Sequence, residues 1–232
     1  PTPEGLTPQS WHLFAIFVAT IVGFITQPIP IGGVSIVVIT VAALTGTLKI
    51  SEGISGFANS AIWLIVGAFL FSRGFIKTGL GKRIAYNLIS AFGSSSLRLA
   101  YALALSDLIL APATPSNTAR VGGVIMPITT SLAKAFGSEP QDGPRKIGSF
   151  LMQSIYQVNT ITSAMFQTSM AGNTLVAALA LQSFGIGITW GDWAMAAIVP
   201  GIIALIIMPY FIYKVYPPEI KDAREAQQMI KE

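Results

Sequence analysis

Several stretches of this chain are apolar over the ~20 residues that a helix needs to cross a hydrocarbon core roughly 30 Å thick. They cover residues 11–30, 58–76 and 190–216, and a shorter uncharged run covers 33–48. Only 10% of the residues are charged, while 52% are hydrophobic. We therefore predict an all-α integral membrane protein of transmembrane helices surrounded by lipid. The absence of cysteine from the sequence excludes a disulfide framework and a thiolate metal site.

The positions of lysine and arginine predict how the chain crosses the membrane, because short cytoplasmic loops are enriched in both. If the chain starts outside, every basic residue except Lys49 and Arg120 falls in a cytoplasmic segment. The polar tail, residues 217–232, is then a short cytoplasmic helix. Residues 1–10 lack the pattern of a signal peptide and are predicted to be a cut end or an external loop. The net charge of +4 belongs to these boundaries and indicates no nucleic-acid partner, and we expect a bacterial cytoplasmic membrane.

Residues 81–93, GKRIAYNLISAFG, form a shorter amphipathic segment after the third span. A helical register places four apolar side chains on one face, namely Ile84, Leu88, Ile89 and Phe92. That spacing predicts a helix lying in the membrane interface.

A polar loop, APATPSNTARVGG at residues 111–123, separates two apolar arms at residues 97–112 and 124–136. Prolines at 112 and 115 stop the first arm, and Ser-Asn-Thr at 116–118 suits the N-cap of the second. Free amides at such a helix start bind anions, while the carbonyls that end the first arm suit a cation. Two topologies remain open from the residues: a re-entrant hairpin, or two arms that each cross. An ordinary turn and cap would leave the same pattern.

The segment at residues 147–184 is too long for one crossing, and its middle is polar. The polar side chains there are Asn159, Thr160, Thr162, Ser163, Gln167, Thr168, Ser169, Asn173 and Thr174. Gly172 and Asn173 suit an unwound turn, which predicts an interrupted helix. One loop and one broken helix of this composition indicate a shared site, although a polar seam between packed helices is the alternative reading.

Asp107 and Arg120 are the ionisable residues predicted to lie deepest in the membrane, where charges normally face protein or water. We predict that they pair across the hairpin. Contact between Arg120 and a carboxylate substrate is the alternative. The sequence contains no metal-ligand spacing, nucleophile–base pattern, P-loop or dinucleotide fingerprint, so we predict that the protein is not an enzyme.

Five blocks of sequence together resemble one known family: LSDLILAPATPSNTARVGG, WHLFAIFVATIVGFITQPIP, IWLIVGAFLFSRGFIKTGLGKRIA, TSAMFQTSMAGN and VYPPEIK. The chain resembles the divalent anion/sodium symporters, and within them the citrate/succinate antiporters and plastid 2-oxoglutarate/malate translocators. The resemblance implies two inverted repeats, each with a re-entrant helical hairpin and one interrupted helix. It also implies a homodimer whose transport domain moves like an elevator. This chain is expected to be a fragment holding roughly the first repeat, without the second.

The resemblance also assigns regions and residues. Residues 1–98 would be scaffold helices with the interfacial helix, 99–184 the hairpin and broken helix of the transport domain, and 185–232 the last span and tail. Substrate-binding residues would be Ser116, Asn117, Thr118 and Arg120. In a sodium-coupled member, the cation-binding residues would be Pro112, Ser116, Asn117, Thr168, Gly172 and Asn173. No cofactor is expected beyond Na⁺ as a coupling ion.

The function implied is secondary transport of di- and tricarboxylates such as 2-oxoglutarate, malate, succinate or citrate. The resemblance leaves exchange and sodium symport both open. A carrier of another oxyanion such as sulfate, or a non-transporting membrane scaffold, is the alternative.

Overall fold

The computed structural model describes residues 2–224, and the regular elements within them are all helical. The helices are α1 Pro8–Thr26, α2 Ile31–Leu44, α3 Ile50–Gly53, α4 Ser60–Thr78, α5 Leu80–Phe92, α6 Ser96–Leu110, α7 Asn117–Arg120, α8 Met126–Ala135, α9 Gly148–Met165, α10 Ala171–Phe184 and α11 Trp190–Val215. Short 3₁₀ turns cover Ser55–Ala58 and Ala111–Ala113, and a π-helical turn at Val121–Ile125 joins α7 to α8. The predicted tail helix includes residues 225–232, which lie outside the described residues.

The predicted all-α membrane fold is confirmed by these helices. Three of them in the described part of the chain are long and apolar enough to cross a membrane: α1, α6 with its 3₁₀ turn, and α11. Helices α4 and α5 would make a fourth span as a pair, bent by 59° between them. The 14 residues of α2 are apolar but fall below span length.

Contacts divide the chain into two compact units, Pro1–Trp63 and Leu64–Glu232. In the first unit, α1 packs against α2, and Gly23 permits the approach because a Cβ there would lie 3.0 Å from Val34 Cγ1. The Gln9 side chain also donates to the carbonyl of Thr47 at 2.8 Å.

The second unit is built around α6 and α9, with α5, α8 and α11 packed against them. Its core contains several completely buried side chains, among them Ile89, Leu99, Leu103, Phe150 and Leu151. Helix α5 forms as predicted, but its apolar face contacts this core: Ile89 is buried, while Phe92 stays 55% exposed. The assignment of residues 1–98 to a scaffold says which part of the protein stays still during transport, and it stays a prediction.

The segment after α11 ties together the starts of α6 and α9. The Ser96 amide donates to the Lys221 carbonyl at 3.0 Å, and the Ala223 amide donates to the Ser94 carbonyl at 3.2 Å. On the other side, the Ile220 amide donates to the Lys146 carbonyl at 2.9 Å. Residues 217–223 are therefore held by backbone bonds to other segments and form no helix, so the predicted tail helix is wrong for this part.

Helices α9 and α11 approach closely at Gly201, where a Cβ would lie 2.6 Å from Met165 Cγ. We expect Gly201→Ala to destabilise the full-length protein by roughly 1–3 kcal/mol, since overpacking a filled core forces side chains out of their rotamers. Thermal unfolding in detergent measures the loss. Gly74→Ala in α4 is the matched control, because its Cβ would meet no atom within 4 Å. Equal thermal stability of the two variants would contradict the close approach.

Candidate functional site

The hairpin tip, defined as residues 111–117, connects the two arms. The first arm, α6, ends in the 3₁₀ turn Ala111–Ala113, and the second arm runs from α7 through the π-helical turn into α8. Ser116 is the N-cap of the second arm, and its side chain accepts the amide of Ala119 at 3.2 Å. The predicted stop at Pro112 and cap at Ser116 are therefore confirmed.

The interrupted helix is also present, but its break lies earlier than predicted. Helix α9 ends at Met165 and α10 begins at Ala171, so residues 166–170 form the break. The prediction of an unwound turn at Gly172 and Asn173 is wrong, since both lie in the first turn of α10. A first-turn amide needs no helical partner, which makes that position tolerant of these residues.

Asn173 caps the end of α9 through its side chain and does not unwind α10. Its side-chain amide donates to the carbonyls of Ser163 at 2.7 Å and Phe166 at 2.9 Å. The Ser169 hydroxyl reaches the same two carbonyls at 2.6 and 2.7 Å. The Trp193 indole on α11 donates to the Ala164 carbonyl at 2.9 Å. Two carbonyls in the last turn of α9, those of Ser163 and Ala164, are thus bonded by side chains from the break, from α10 and from α11.

The tip and the break lie against each other, as the shared-site prediction required. The Thr168 hydroxyl donates to the Pro112 carbonyl at 2.7 Å, and the Ala171 amide donates to the Pro115 carbonyl at 2.9 Å. Trp190 covers this contact: its indole donates to Thr168 Oγ1 at 3.0 Å. Two irregular segments therefore hydrogen-bond to each other at these backbone groups. Irregular backbone inside a membrane needs such partners, because lipid offers none.

Arg120 holds the tip and the break together from a fully buried position. Its side chain is 0% exposed, and its Nε donates to Asp107 Oδ1 at 2.8 Å, so the predicted pair is confirmed. Nη1 donates to the carbonyls of Thr114 and Ser169, both at 3.2 Å. Nη2 donates to the hydroxyls of Thr162 and Ser163 at 3.2 and 3.1 Å. Because a guanidinium has five N–H donors, these bonds use them all.

Both oxygens of the Asp107 carboxylate also have hydrogen-bond donors. Its Oδ2 accepts from the Thr162 hydroxyl and from the Asn159 amide, the latter at 3.4 Å, while Oδ1 accepts from Arg120. Within the described residues, no buried side-chain nitrogen or oxygen lacks a partner. The buried charges are therefore paired and hydrogen-bonded, as charges removed from water must be.

Donors remain free at the start of the second arm. In the part of the chain that the structure describes, the Asn117 Nδ2 group donates to no protein acceptor, and its Oδ1 accepts from the Thr118 amide at 2.9 Å. The Ser116 hydroxyl only accepts. Both side chains are half-buried, and Thr118 is exposed. This arrangement suits a carboxylate ligand, which accepts hydrogen bonds and is favoured at a helix start.

The predicted cation ligands are brought close together in pairs. Pro112 and Thr168 are hydrogen-bonded, Ser116 and Asn117 adjoin, and Gly172 and Asn173 start α10. Carbonyl, hydroxyl and amide oxygens suit a hard cation such as Na⁺. The carbonyls of Pro112, Thr114 and Ser169 already accept from Thr168 or Arg120. The carbonyls of Thr114 and Ser169 were missed from sequence, since any residue supplies the same group.

Residues 1–232 match the family described as the sodium:sulfate symporter transmembrane region. A Bacillus subtilis protein provisionally named a malate transporter is 58% identical over 100% of this chain and 49% of its own length. A chloroplast dicarboxylate transporter of Spinacia oleracea is 50% identical over 100% of this chain and 41% of its own. A citrate/succinate antiporter of Escherichia coli is 37% identical over 97% and 50%, respectively. The chain thus spans about half the length of the curated relatives it matches.

Proposed function

This chain belongs to the sodium:sulfate symporter family, and from that membership we propose that the complete protein transports di- or tricarboxylates across a membrane. Three relatives are named for malate, dicarboxylates, and citrate with succinate, all of which carry at least two carboxylates. The observation that carries the proposal is the contrast at the tip: Ser116 and Asn117 keep free donors, while Arg120 has none.

Substrate binding is therefore proposed for Ser116, Asn117 and Thr118, with the second half of the protein completing the site. Direct binding of substrate by Arg120 stays a prediction, but it would require breaking one of five internal hydrogen bonds. A structural role for Arg120 is the simpler proposal. A homodimer, elevator-like movement and a bacterial cytoplasmic membrane with the chain start outside belong to the same proposal, on the strength of the family resemblance.

Exchange is the coupling mode that we propose first. The carbonyls of Thr114 and Ser169 follow the ends of α6 and α9, where helix dipoles favour a positive charge. The Arg120 guanidinium already contacts both. Because the Arg120 guanidinium already supplies a positive charge at these two helix ends, we propose that transport needs no sodium ion between them. Sodium symport is the second candidate, with Ser116 and Asn117 supplying oxygen ligands beside Thr168 and Asn173.

Uptake of labelled 2-oxoglutarate by the full-length protein in liposomes tests this proposal. Vesicles are either preloaded with malate or left empty, each with and without a sodium gradient. We expect uptake only into preloaded vesicles, unchanged when sodium is replaced by potassium.

Other outcomes separate the alternatives. Sodium-driven uptake into empty vesicles would overturn exchange but keep the substrate class. Uptake of labelled sulfate without carboxylate uptake would replace the substrate class. No uptake of either anion by folded protein would favour a non-transporting scaffold.

A further inference from the structure

A groove runs along the outer face of α6, between the end of α5 and the middle of α11. It consists of two adjoining cavities of about 420 and 160 Å³, which share Tyr101 and Leu105 as walls. Phe92 closes the side toward α5, and Ile206 belongs to the wall on α11. The Tyr101 hydroxyl donates to the Ile206 carbonyl at 2.5 Å, which fixes the aromatic ring between the two helices.

The groove has the length of one membrane leaflet. Its α6 wall is formed by residues spaced three or four apart, from Arg98 through Tyr101 and Leu105 to Leu108. Ten residues of helix rise about 15 Å. Half of a hydrocarbon core that is roughly 30 Å thick is the same distance. One side of α6 therefore offers an apolar channel as deep as a single acyl chain extends.

A positive charge stands at one end of this channel. Arg98 is exposed, and its guanidinium donates to the Ser94 hydroxyl at 3.1 Å. The lining residues of both cavities include no acidic side chain in the described part of the chain. Asp222, in the segment that pairs with Ser95, forms an ion pair with Arg224, so these two opposite charges offset each other. The mouth of the groove is thus left cationic.

We propose that this groove binds one anionic phospholipid, with its phosphate on Arg98 and one acyl chain along Tyr101, Leu105 and Leu108. A cation above an apolar channel matches the two parts of such a lipid. A whole helix is a poorer fit, because helices are about 10–12 Å across and the inner cavity holds only about 160 Å³. The orientation predicted from basic residues puts Arg98 at the cytoplasmic leaflet, where anionic lipid is concentrated. This proposal does not depend on the transported substrate.

Native mass spectrometry of the full-length protein, titrated with phosphatidylglycerol or phosphatidylcholine, tests the site. We expect Arg98→Gln to abolish the preference for phosphatidylglycerol over phosphatidylcholine. Leu105→Trp, which fills the channel, should reduce the first bound equivalent of both lipids at least about fivefold, because the larger side chain takes the place of the acyl chain and its packing contacts. Arg83→Gln removes an equally exposed arginine from α5 and is the matched control. Inorganic phosphate at millimolar concentration should not displace the lipid.

Three results would overturn the proposal. One is a phosphatidylglycerol preference that Arg98→Gln and Arg83→Gln change equally. The second is unchanged lipid binding in a folded Leu105→Trp protein, as expected if another part of the full-length protein covers the groove. The third is displacement of the lipid by inorganic phosphate. If Leu105→Trp does not fold, Arg98→Gln still decides the outcome, since its side chain is exposed and its loss leaves the core intact. Displacement of the lipid by inorganic phosphate would show a surface anion site without an acyl channel.

Discussion

Asp107→Ala should be among the most destabilising single substitutions in this chain. The change leaves the Arg120 guanidinium buried without its carboxylate, and breaking a buried pair from one side costs roughly 3–5 kcal/mol. Thr162 and Asn159 would also lose the acceptor that they share. We expect the midpoint of thermal unfolding of the full-length protein in detergent to fall on the order of 10 °C.

Two further variants make that result specific. Asp142→Ala is the matched control, because Asp142 is exposed and surface changes usually stay within about 0.5 kcal/mol. The double variant Asp107→Leu with Arg120→Met removes both charges and should recover more than half of the loss. Full recovery is not expected, since the carbonyls of Thr114 and Ser169 lose their donor. A double variant that is no more stable than Asp107→Ala would mean that the two charges are not coupled.

Asn117→Ala should have the largest effect on transport with the least effect on folding. The substitution removes the Nδ2 donor, which has no partner among the described residues, and a hydrogen bond to a charged group is worth about 1.5–3 kcal/mol. Uptake of 2-oxoglutarate at low concentration by the full-length protein should therefore fall roughly 10- to 100-fold. Its midpoint of thermal unfolding should stay within a few degrees.

Asn87→Ala is the control for the same chemical change, because Asn87 lies exposed on α5, away from the tip. It should leave uptake unaltered. If Asn117→Ala transports at the normal rate, the tip does not bind the substrate. If it unfolds like Asp107→Ala, the free-donor description of Asn117 is wrong.

Side-chain chemistry explains which parts of the site could be predicted from the sequence. Asp107 is the one acidic residue in the two apolar arms, and Arg120 is the one charged residue in the loop between them, so a pair was expected, and the two side chains do pair. The Pro-rich tip and the start of the second arm at Asn117 likewise follow from missing backbone donors and good capping side chains.

The remaining contacts follow from backbone groups that the sequence does not mark. Three bonds that join the tip to the break end on carbonyls, namely those of Pro112, Pro115 and Ser169. The misplaced break has the same origin: Gly172 and Asn173 are typical turn residues, yet Asn173 uses its amide to cap a distant helix end. The packing of α5 on α6 could not be predicted from the sequence either, since an apolar stripe suits a membrane interface and a protein core equally well.

The sealed end of α9 has a consequence for biosynthesis. An open carbonyl in lipid costs several kcal/mol, and the groups that close these ones lie 6, 10 and 29 residues further along the chain. When α9 emerges from the ribosome, its final turn is therefore unfit for the bilayer. We expect the helix to stay in a protected environment until α10 has begun and Trp193 has been synthesised. We therefore expect α9, α10 and α11 to enter the membrane together.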